Sequence, residues 1–191
     1  MKITLFRLCL ALFALALAAP PGMVHAQERL EREPGYFDLA AVEGWFDGEP
    51  WLEVNIKGAL LKLVAEASRY EDPELTDLLN KLKAIQVRGY PLSWSQYETI
   101  ERQTSTLAKR LETQGWDTGA RVRERDERTD VYMKVHGGNI AGLAVLVLEP
   151  GSDDGAVFVN IVGQIDPEQI GRLGSKFNIG PLKDSVVRDR R

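Results

Sequence analysis

Ile140-Ala141-Gly142-Leu143-Ala144-Val145-Leu146-Val147-Leu148, and after a turn Val157-Phe158-Val159-Asn160-Ile161-Val162-Gly163, decide how this sequence folds. The first run is nearly unbroken in its apolar character, which in a strand means cover on both faces. Pro150 to Gly155 turns the chain, and the second run returns beside the first. Upstream, Gly137-Gly138-Asn139 makes another turn, with Val131 to His136 as the strand before it. Trp116 to Glu127 reads as the outermost partner. Its run Arg121 to Arg128 mixes four arginines with three acids, a pattern that keeps a sheet edge from pairing with other chains.

Before this meander the period changes from two to about 3.6. A long helix is expected from Ser95 to Gln114, with Ser95 and Glu98 as a capping box and Gly115 as its stop. Trp94, Tyr97, Ile100, Leu107 and Leu111 trace its apolar stripe. Ala84 to Tyr90 is a strand with Ile85 and Val87 facing in. Asp72-Pro73-Glu74 opens a helix that buries Leu75, Leu78, Leu79 and Leu82, since an aspartate cap and a first-turn proline both suit that end. Ala59 to Tyr70 is a further helix, with Leu60, Leu61, Val64 and Ala67 on its stripe. Trp51 to Gly58 alternates as a half-buried strand. At the far end, Asp166-Pro167-Glu168-Gln169 starts a last helix burying Ile170, Leu173 and Phe177.

The expected order is β-α-α-β-α-β-β-β-β-α. That is an α+β fold, a mostly antiparallel sheet of about six strands with helices packed on one face. Residues 1–26 read as a secretory signal peptide: Lys2 and Arg7, the apolar stretch Leu8 to Ala19, then Val24-His25-Ala26. The apolar stretch is short of the about 20 residues a membrane span needs. Residues 27–50 form a leader and an aromatic-rich segment, 51–182 a single α+β domain, and 183–191 a flexible tail. Export to the periplasm is therefore expected, with no membrane span after cleavage.

Cleavage changes the chemistry on offer. Of 191 residues, 165 remain, and Lys2 and Arg7 leave, so 22 basic residues face 28 acids for a formal charge of −6. Cys9 and His25 leave too. A thiol nucleophile, a disulfide framework and a histidine-rich metal site are thereby excluded. His136 alone could serve a serine nucleophile, and no Gly-x-Ser-x-Gly elbow accompanies it. Asp153-Asp154 and Asp166 with Glu168 have turn and cap roles that account for them. The His136 to Gly142 segment joins two strands and is not a phosphate loop. Negative charge disfavours nucleic acid. No cofactor and no metal are expected. Asn55 and Asn160 interrupt apolar faces, and each is expected to bond a neighbouring turn.

Pro34-Gly35-Tyr36-Phe37-Asp38-Leu39, Val54-Asn55-Ile56-Lys57-Gly58-Ala59-Leu60-Leu61, Glu71-Asp72-Pro73-Glu74-Leu75 and the run Phe158 to Leu173 resemble one bacterial family, domain of unknown function 4252. The likeness covers nearly the whole mature chain, in order. It implies an exported protein of Gram-negative bacteria with no assigned activity and no defined catalytic residues. It further implies a link to extracytoplasmic sigma factors and their anti-sigma partners.

Aromatics remain as the functional signal. Tyr36, Phe37, Trp45, Phe46 and Trp51 fall close together among acids. They either close the core or form a partner-binding patch, because aromatics dominate interface energetics. A non-enzymatic binding module for an envelope protein or component is the leading expectation. An envelope hydrolase using paired carboxylates is the second, and a homodimer packed through the free sheet face of Ile140 to Leu148 the third.

Overall fold

Leu143, Val145 and Val147 point to one side of their strand and Ala144, Leu146 and Leu148 to the other, and all six are buried. Two separate hydrophobic cores follow from that alternation. The structure is a computed structural model that describes residues 30–124 and 127–166. The chain divides into two units, Met1–Arg32 and Glu33–Arg191, and the elements below belong to the second.

A short α1 (Ala40–Glu43) precedes β1 (Leu52–Lys57), α2 (Ala59–Ser68), α3 (Pro73–Lys81) and β2 (Leu82–Tyr90). Then come α4 (Trp94–Thr113), β3 (Asp117–Glu124), β4 (Glu127–His136), β5 (Asn139–Glu149) and β6 (Gly155–Ile165). The fold is α+β, and the six strands among the described residues form one antiparallel sheet in the order β1-β2-β6-β5-β4-β3. The element order matches the sequence reading as far as β6. The expected helix from Asp166 to Phe177 and the flexible tail lie outside the described residues.

The helices do not share one face. α4 and the segment from Phe37 to Phe46 pack on the Leu146 side, while α2 and α3 pack on the Val145 side. A strand apolar on both sides needs two covers, and that demand overrides the simpler two-layer arrangement. The same fact removes the expected dimer through Ile140 to Leu148. β5 lies between β6 and β4, and its inner residues are already enclosed on both faces.

Strands run longer than their apolar cores because ladder pairing recruits the flanking residues. Pairing of His136 with Asn139 leaves Gly137 and Gly138 as a two-residue turn, both at positive φ (59° and 80°). Asp72 caps α3 as expected, its carboxylate accepting from the Leu75 N–H at 2.9 Å. α4 starts one residue early. Its box is Ser93 with Gln96, the Ser93 N–H donating to Gln96 Oε1 at 3.3 Å, in place of Ser95 with Glu98. Leu82 leaves its helix for β2. Leu60 and Ala67, expected inside, face outward on α2, where Leu61 and Ala65 take the buried positions.

Candidate functional site

Alternation along β2 puts Ile85 and Val87 into one core, and Gln86, Arg88 and Tyr90 on the opposite face. β1 presents Glu53 to that same face, paired across the ladder with Arg88. α1 adds Glu43. These elements border a cleft of about 430 Å³ lined by Glu43, Gly48, Glu49, Pro50, Glu53, Arg88 and Tyr90. That volume is within the range of small-ligand sites, roughly 300–1,000 Å³.

Arg88 is the hub of the cleft. Its guanidinium meets Glu53 at 3.0 Å and Glu43 at 3.6 Å, with its own side chain 13% exposed. Glu49 also lines the wall, so three acidic residues and one cation border the cleft. Tyr90 closes the floor, stacked on Phe46 with ring centroids 4.3 Å apart. It is 1% exposed, and its hydroxyl has no hydrogen-bond partner among the described residues. Burial, and next the Glu43 carboxylate, push its phenol up from the ordinary value, so it stays protonated at any working pH. A buried hydroxyl without a partner costs about 1–3 kcal/mol until something bonds it.

The five aromatics do not assemble into one exposed patch. Phe37 and Phe46 are core residues with Leu39 and Val42, and Trp45 packs half-buried edge-on to Phe158 at 5.7 Å. Tyr36 is half-buried, and Trp51, 47% exposed, lies over Gly89, where a Cβ would meet its ring. The apolar demand of the sheet's second face drew these rings inward. Asn160 holds them there: its side chain accepts from Phe37 N–H and donates to the carbonyls of Gly35 and Leu143. It thus bonds a remote segment and not a neighbouring turn.

A second polar cluster was hidden in the charged run. Asp130 and Arg128, both buried on β4, are joined by two hydrogen bonds of 2.9 and 2.6 Å. Arg128 also donates to Glu101 and Ser105 of α4, and Arg123 reaches Asp130 at 2.7 Å. Arg121 bonds the Tyr132 hydroxyl and Glu112, which hold its guanidinium firmly charged. The cluster fastens α4 to the sheet. β3 is an edge strand, as the charge pattern implied, yet Arg128 belongs to the interior.

His136 is exposed at the end of β4. Among the described residues no group of three His, Cys, Asp or Glu side chains is arranged to hold a metal ion. Val54-Asn55-Ile56-Lys57-Gly58 and Val159-Asn160-Ile161-Val162-Gly163 are alike in sequence but differ in setting: Gly58 follows β1, whereas Gly163 lies inside β6 and pairs with Leu82.

The profile of a domain of unknown function, DUF4252, matches residues 45–173. The chain belongs to that family. No curated protein and no solved structure matches it. The DUF4252 match contains β1 through β6 and every cleft residue except Glu43. It begins at Trp45, so Gly35, Phe37, Leu39 and Val42, which complete one core of this DUF4252 protein, precede the matched span.

Proposed function

We propose that this protein is an exported, periplasmic binding module without catalytic activity, and that the cleft beside Arg88 receives a lysine side chain of an envelope protein. The buried, partnerless hydroxyl of Tyr90 carries this reading. An ammonium group entering the cleft would lie among Glu43, Glu49 and Glu53, whose charge exceeds that of Arg88, and would receive that oxygen as acceptor once a side-chain shift uncovers it, since it is closed to solvent in the free protein. Export rests on the basic, apolar and small-residue order of the first 26 residues. Anti-sigma factors of envelope signalling are the partners to try first, as the family resemblance implies.

The test is co-purification of envelope partners with a tagged form, repeated with Tyr90→Phe and Glu49→Lys. Partner recovery should fall with both variants, and a short lysine-containing peptide should compete while its norleucine analogue should not. Undiminished recovery of the same partners with both variants would overturn the proposal.

A second reading has one observation behind it, the convergence of Glu43 and Glu53 on a single cleft. An envelope hydrolase would need one of them set apart as an acid. Both instead face the same guanidinium, which fits a charge-lined binding site better.

A further inference from the structure

Among the described residues the sheet is open and has two edges, β1 and β3, and they differ in kind. β3 carries Asp117, Arg121, Arg123 and Glu124 and is broken by a bulge between Thr118 and Ala120. Charges and bulges are the devices by which edges avoid pairing. β1 carries charge only at Glu53 and Lys57, of opposite sign, and has no bulge. All six of its residues pair with β2 in unbroken register, and no proline interrupts them. Its core-facing residues Leu52, Val54 and Ile56 are only partly buried.

Beside this edge runs an apolar stripe on a helix. Leu60 is 46% exposed, Leu63 66% and Tyr70 90%, and Ala67 between them is exposed too. Spacings of three, four and three residues place them along one flank of α2 and its end. That flank can be located. α2 lies against β1 and β2 while α3 lies against β2 and β6, so α2 is the outer helix. The Ala65 carbonyl on its inner flank accepts the Thr76 hydroxyl of α3 at 3.1 Å. The Leu60 and Leu63 flank is therefore turned over the free edge of β1.

We infer that this edge binds a second copy of the same chain, β1 pairing antiparallel with its counterpart to make a continuous twelve-stranded sheet. Charge selects both the occupant and the register. With Asn55 opposite its own copy, Glu53 faces Lys57 of the partner and Lys57 faces its Glu53, while Val54 faces Ile56 on the other side of the sheet. A strand that complements itself in this way is the isologous surface of a two-fold dimer. The two-fold axis stands perpendicular to the sheet, so both copies of α2 lie on the same side. Their Leu60, Leu63, Ala67 and Tyr70 flanks then face each other across the seam, and the apolar surface is withdrawn from water.

Light scattering of the purified protein at micromolar concentration reads the outcome. The expected mass is that of two copies. Leu63→Glu, a change at an exposed position that leaves far-UV circular dichroism intact, should halve it. Lys57→Glu places like charges opposite each other twice and should weaken association by on the order of tenfold. The double variant Glu53→Lys with Lys57→Glu should recover it, an outcome that only this register predicts. A monomeric mass throughout, or a dimer indifferent to both single changes, overturns the inference. The Leu63 and Lys57 changes lie outside the cleft and are read without ligand, so they stand apart from it; the double variant also alters Glu53 of the cleft wall and is read by mass alone.

Discussion

The side-chain carbonyl of Asn160 on β6 accepts the backbone N–H of Phe37 at 3.0 Å, across 123 residues of chain. The same side chain donates to the Gly35 carbonyl at 3.0 Å. Gly35 and Gly142 complete the joint, because a Cβ on either would collide with the backbone of the other segment. Asn160→Ala strands a buried N–H and a buried carbonyl, each costing about 1–3 kcal/mol. The urea midpoint should fall accordingly, and limited proteolysis should cut within 35–46 before the sheet unfolds.

Asp130 should be the most sensitive charged position. It is wholly buried against Arg128, and Asp130→Ala leaves that buried guanidinium with the part-exposed Glu101 as its remaining carboxylate, at up to about 3–5 kcal/mol. Arg123 binds the same carboxylate but is 41% exposed, so Arg123→Ala should cost below about 1 kcal/mol. Equal losses in chemical denaturation would contradict this division between buried and screened partners.

Tyr90→Phe removes a buried hydroxyl that has no partner among the described residues. Thermal unfolding of the unliganded protein should therefore be unchanged or shifted upward, by up to about 1 kcal/mol of stability. A clear loss of stability would mean that the hydroxyl is bonded within the fold after all.

Glu149 supplies a pH dependence. Burial, and next the neighbouring charges of Glu127 and Asp154, raise its carboxyl above the usual glutamate value. The native state then holds the proton more tightly than the unfolded chain. Stability from this group is present in acid and lost as pH climbs through the raised value. Glu149→Gln should match the parent protein at low pH and exceed it near neutrality. A difference that shrinks as pH rises would contradict the assignment.

Much of this fold was legible because its signals are local. Period-two and period-3.6 patterns located nine elements in order, and Asp72-Pro73 marked its helix start to the residue. The cleft was harder to see. Gln86, Arg88 and Tyr90 alternate with Ile85 and Val87, which put an arginine on a covered face, but the carboxylates around it come from α1 and β1. Arg128 and Asp130 looked like two more charges in a charged run. Only the placement of α4 above them makes them interior.

By itself, then, the sequence determined the class and the element order. These depend on side-chain period, capping and composition, which act over a few residues. Tertiary structure alone decided which strands are edges, which rings lie inside and which carboxylates share Arg88. Those are consequences of burial and pairing between distant segments, and the same residue takes opposite roles as its neighbours change. Leu60 and Leu61 are adjacent leucines on one helix. Leu61 is buried because the sheet lies beneath it, and Leu60 is exposed beside the free edge of β1.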